Sequence, residues 1–145
     1  MSIARYLFLD DRSIKSSSNV SLKLGRVYKH PKNPLMIEDQ TWEQRYDNFY
    51  GNIIYDQAEE LFKCWYSPFI VANSSIGMSH DDRQNTEYEG HENQEMGICY
   101  ATSKDGFSWD KPDLNLVDFN GNRSNNIVFR GPHGSGIFYD EETVT

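Results

Sequence analysis

The chain has 145 residues, a one-domain length, and its 37% hydrophobic and 14% aromatic content is too apolar and ring-rich for a disordered chain. A formal net charge of −8 gives no attraction to nucleic acid or to an anionic lipid surface, so neither is expected as a partner. No apolar stretch approaches the ~20 residues of a membrane span, and the run in MSIARYLFLDDRS is too short for a secretory signal, leaving a cytoplasmic location as the default expectation.

In chain order, residues 4–9 form a short apolar run that predicts a strand ending at Asp10 and Asp11. After the polar cluster KSSSN, Val20, Leu22 and Leu24 alternate with Ser21, Lys23 and Gly25, the period-two pattern of a half-buried strand. The two prolines of KHPKNP stop it. QTWEQRY has flanks and length unsuited to a helix and reads as a loop or single turn. The β-branched and aromatic residues Ile53, Ile54 and Tyr55 then predict a strand over 49–56, and DQAEE a hairpin connection. In the strand predicted over 61–66, Phe62, Cys64 and Tyr66 share one face and Leu61, Lys63 and Trp65 the other.

Residues 71–94 are a long polar excursion containing His80, Asp81, Asp82, His91 and Glu92. No helix or strand period fixes their spacing, so a solvated insertion is expected rather than a metal site. A strand resumes over 98–102, and KDG supplies a tight turn with Gly106 at the bend. LVDFNGN predicts a further strand with an Asn-Gly turn signal, and NNIVF with SGIFYDEE predicts the beginning of a further hairpin. Cys64 and Cys99 both sit in apolar strand patterns and are expected as buried thiols, with a disulfide as the alternative if their strands adjoin. Their spacing fits no metal motif, and no cofactor is expected. The Asn-x-Ser sequons at Asn19, Asn73 and Asn122 would matter only in a secreted eukaryotic product. With no sustained helical period anywhere, the predicted class is all-β, in antiparallel meander strands.

The pieces LFLDD, NPL, TWE, YGNIIYD, FKCWYSP, YATSKDGFSWDKP and NNIVF, in that order and spacing, span nearly the whole chain outside 71–94. In them the sequence resembles a bacterial group assigned as glycoside hydrolases, with a five-bladed β-propeller fold in the style of levanases, invertases and arabinofuranosidases. The resemblance implies lead-in strands over 1–45, a first complete blade over 46–112 with its insertion at 71–94, and the start of the next blade over 113–145. A blade takes about 40–50 residues, so the chain is expected to be an amino-terminal portion, or a truncated relative, unable to close a ring. An isolated blade would leave an open sheet edge, and self-association through that edge is expected.

Propeller glycosidases place carboxylates around a central channel, and the resemblance implies a carbohydrate as the partner. Asp47, four residues before Gly51, is the acid nearest the family's first-blade position, although the strongest form of the motif would put it where Asn48 stands. A turn residue opening the strand is its alternative role. Asp10 and Asp11 are further carboxylate candidates, or strand-end caps. Trp42 and Glu43 form an aromatic–acid pair of the kind that binds sugar, stacking on C–H groups and accepting from hydroxyls; Trp42 as a core plug is the competing reading. Ser103, Asp105, Gly106 and Trp109 are expected to hold a turn rather than to touch substrate. A non-catalytic carbohydrate-binding or structural module is the alternative to the hydrolase.

Overall fold

The structure, a computed structural model, describes residues 10, 12, 14–85 and 93–138. The chain divides into two compact units, Met1–Pro31 and Lys32–Thr145. The strand predicted over 4–9, together with Asp11, His91, Glu92 and the end of the SGIFYDEE run, lies outside the described residues.

In the first unit no strand forms among the described residues. Val20, Leu22 and Leu24 are 72%, 57% and 102% exposed, which corrects the half-buried strand predicted there. Alternation gives a segment two faces, but a strand also needs a ladder partner, and no described residue pairs with this one.

The second unit is built on one open, five-stranded antiparallel sheet, and the class is all-β. The strands are β1 (Asn52–Asp56), β2 (Leu61–Tyr66), β3 (Phe69–Ala72), β4 (Gln94–Ser103) and β5 (Ile127–Arg130). The first hairpin has the expected connection. Asp56 Oδ1 accepts from the backbone N–H groups of Ala58 and Glu59, and Glu60 turns the chain with a φ of +52°. Register runs unbroken from Asn52 opposite Trp65 to Asp56 opposite Leu61.

β2 and β3 are two halves of one course along β4. The Phe62-to-Tyr66 stretch pairs with Ser103 back to Cys99, and Phe69 to Ala72 continues against Met96 to Gln94. Proline at 68 cannot donate, which breaks the ladder on one side, but its carbonyl still accepts from Gly97 N at 3.1 Å. The strand course therefore extends into the stretch read as insertion, and β4 begins at Gln94, four residues before the predicted Ile98. What remains of the excursion contains a 3-10 turn, Asn73–Ser75, and one short helix, α1 (His80–Gln84), capped by the Ser79 side chain on Asp82 N.

The segment before β1 lies along the other side of the kink. Gln44 N donates to Phe69 O, Phe69 N to Arg45 O, and Ser67 N to Phe49 O, all within 3.0 Å. On the far edge of β4, Thr102 bridges Asp110, and β5 pairs with Gly97 to Cys99. NNIVF, expected to open a separate blade, is thus hydrogen-bonded into the same sheet, whereas LVDFNGN forms no strand and has only an isolated bridge between Phe119 and Asn122 across its Asn-Gly turn.

The faces of β2 divide as the alternation predicts. Cys64 and Tyr66 are fully buried with Cys99, Ala101, Ile70 and Ile127, and Trp42 and Phe119 close the cluster. The two cysteines are free thiols. They stand diagonally, Cys64 opposite Ala101 and Cys99 opposite Tyr66. Burial pushes the Cys64 thiol up to about 11 and raises that of Cys99 as well, so both stay protonated near neutral pH.

Candidate functional site

The predicted site residues fall into three different environments. Trp42 and Glu43 follow a turn, closed by Glu43 N donating to Gln40 O, that carries them into the core side of the sheet. Trp42 is 9% exposed, and its indole N–H donates to Asn126 Oδ1 at 2.6 Å. It also lines a cavity of about 180 Å³ with Thr41, Phe119, Asn120, Asn122, Ser124 and Asn125.

Glu43 is 3% exposed and its carboxylate is saturated. Oε2 accepts from Lys111 Nζ at 2.6 Å and from the backbone N–H groups of Asp39 and Gln40 at 3.1 and 3.2 Å. Oε1 accepts from the Tyr66 hydroxyl at 2.5 Å. That hydroxyl in turn accepts from Asn126 Nδ2 at 2.8 Å, so the chain of bonds runs Trp42, Asn126, Tyr66, Glu43, Lys111. Lys111 Nζ also donates to Ile37 O and Asp39 Oδ1, at 2.9 and 2.7 Å. Burial first, and then the nearby Glu43 charge, raises the Tyr46 hydroxyl; burial, the neighbouring Cys99 and Glu43 do the same for Tyr66. Both phenols remain neutral donors at any ordinary pH. The arrangement ties together four stretches of chain, at residues 42–43, 66, 111 and 126, and the fully buried Glu43 carboxylate is closed to sugar hydroxyls.

Asp47 sits differently. It lies between two backbone anchors, Arg45 O bonded by Phe69 N and Phe49 O bonded by Ser67 N. The backbone is fixed while the side chain keeps 26% of its surface. Arg45 Nε donates to Asp47 Oδ1. A cavity of about 90 Å³ opens here, lined by Arg45, Tyr46, Asp47, Arg83 and Gln84. Arg83, from α1, is held by Glu38 Oε1 and Gln44 O, each at 3.0 Å. Nothing in the sequence pattern brings Arg83 to this place, because α1 lies within the polar excursion and has no amphipathic period to place it.

Asp10 belongs to the first unit, where its carboxylate accepts from Arg12 Nε at 2.7 Å; that side-chain bond holds it below the usual carboxylate range. Asp11 lies outside the described residues. Among the described residues no three His, Cys, Asp or Glu side chains converge as metal ligands, and no helix is long and apolar enough to cross a membrane.

The motif read as a turn has the bonding of one. Ser103 Oγ accepts from Gly106 N at 2.9 Å, and Asp105 Oδ1 accepts from Phe107 N and Ser108 N at 2.8 and 2.7 Å. Gly106 has a φ of +74°, a conformation glycine adopts without a Cβ penalty. Trp109 is partly buried against the core cluster.

No protein-family model, no curated protein and no solved structure matches the chain.

Proposed function

We propose that the chain is the amino-terminal part of a glycoside hydrolase of five-bladed β-propeller type, cleaving glycosidic bonds with paired carboxylates. Asp47 is the carboxylate this part contributes. The reading is supported by an open antiparallel sheet of about one blade's size, with the Ser-x-Asp-Gly-x-x-Trp turn following its longest strand. The observation that carries it is the setting of Asp47: a rigid backbone, a partly exposed carboxylate oriented by Arg45, and a cavity beside it. A catalytic carboxylate needs that combination of fixed position and access. Its partner would come from another blade, at about 5–5.5 Å for retention or about 6.5–9.5 Å for inversion.

A second reading, a carbohydrate-binding module without catalysis, is favoured by one feature. Asp47 is the sole carboxylate among the residues lining its cavity, and Glu43 is engaged in the core. The two part on one experiment in the full-length protein. Under the hydrolase reading Asp47→Asn abolishes reducing-sugar release from susceptible glycans and leaves the unfolding midpoint unchanged. Near-normal release removes Asp47 from the catalysis. Glycan binding by the wild type with no release establishes the second reading.

A further inference from the structure

Two segments about eighty residues apart meet at the amino-terminal end of β1. Tyr50 has a φ of +45°, in the left-handed region that a residue with a side chain seldom adopts. Such a conformation persists where its surroundings over-determine it, and it concentrates at functional sites. Here the surroundings are explicit. Asn52 Nδ2 donates to Tyr50 O at 2.8 Å and to Ser135 O at 3.0 Å, while its Oδ1 accepts from Ile137 N at 3.1 Å. One side chain therefore fastens the glycine-rich stretch GPHGSG to the start of the strand. The His133 ring meets the Tyr50 ring edge to face, with centroids 5.8 Å apart. A Cβ on Gly134 would stand 3.2 Å from the Tyr50 ring, so a larger residue would crowd this approach.

The hydrophobic core gains little from this arrangement. Tyr50 is 39% exposed and His133 is exposed, so this left-handed turn of the backbone holds two rings at the surface, with Tyr50 three residues after Asp47 in the chain. We propose that Tyr50 and His133 form a saccharide-binding lip at the start of β1, three residues along the chain from Asp47. The Tyr50 ring offers a flat apolar face to the C–H side of a sugar, and the imidazole nitrogens exchange hydrogen bonds with its hydroxyls. The ligand class is a neutral saccharide: Tyr50, Asn52, Ser135 and the glycines bring no formal charge to pair with an ionic ligand, and the net charge of −8 disfavours an anionic one. This rests on the carbohydrate reading of the Asp47 region, whether catalytic or only binding.

The test is a titration of the full chain with xylotriose, arabinotriose, maltotriose and sucrose, followed by NMR of the His133 ring protons and by calorimetry. Saturable shifts at His133 with at least one of these are expected. His133→Ala should weaken that binding about tenfold or more without moving the thermal midpoint. Tyr50→Gly is the sharper variant, because glycine accepts the left-handed backbone: stability should hold or rise while affinity falls by a similar factor. Wild-type binding that both variants leave unchanged overturns the lip and leaves the carbohydrate reading standing. No binding of any of the four by the wild type overturns the lip too, and turnover by Asp47 then decides the hydrolase reading separately.

Discussion

Lys111 and Glu43 are 6% and 0% exposed at the side chain and hold each other at 2.6 Å. A buried pair of this kind adds little net stability over an apolar replacement, but removing one partner strands the other in a medium that solvates it poorly. Lys111→Met should therefore cost about 3–5 kcal/mol in urea unfolding, and adding Glu43→Gln should recover a large part of that loss. A double variant as unstable as the single one would show that Lys111 acts by packing rather than by charge. Local sequence made Trp42 and Glu43 visible as an aromatic–acid pair. It carried no trace of what they contact, since Asn126 and Lys111 lie 84 and 68 residues away. Asp47 was legible by its distance from Gly51, whereas Arg83 was not, because only the folded path of the excursion brings it near.

Among the elements, the turn at residues 103–108 draws on local chemistry alone, which is why its role could be read from seven letters. Two backbone N–H groups point at the Asp105 carboxylate, first that of Ser108 and then that of Phe107, and lower it from its ordinary 3.8. A group whose folded value is depressed stabilises the fold above its unfolded value and loses that contribution as pH falls through the folded one. The turn should thus lose stability below about pH 4, in the range set by that ordinary value of 3.8. Asp105→Asn should flatten this part of the acid limb in pH-dependent thermal unfolding, and an unchanged slope would assign the limb to other carboxylates. Strands were less transparent than turns. Alternation placed β1 and β2 well, yet the same pattern at Val20, Leu22 and Leu24 formed none, because pairing is a property of two segments. The strand predicted over 61–66 stops short of the Ser-Pro step, but the sheet continues through that step by using the proline carbonyl.

At the scale of the molecule the sheet is open, and β1 has β2 as its sole partner strand among the described residues. Edge strands in soluble proteins are commonly protected by lysine, proline or a bulge. β1, with the sequence NIIYD, has none of these and pairs in unbroken register, leaving Ile53 57% and Tyr55 47% exposed. Behind this edge a groove of about 740 Å³ runs between Ile54, Tyr55, Lys63, Trp65 and Tyr100, so apolar surface and free backbone groups lie together. In a propeller that surface is where a neighbouring blade packs; alone, it is an invitation to a second chain. The 145-residue chain should therefore form larger species as concentration rises in sedimentation velocity. Ile53 stands opposite Cys64 but is itself 57% exposed, so Ile53→Lys puts a solvated charge on the edge and should hold the chain monomeric. A wild type that stays monomeric across the concentration range would mean that the edge is already covered within the chain. Association that survives Ile53→Lys would move the contact off β1 and onto the groove behind it, where Trp65→Ala is the variant that should then abolish it.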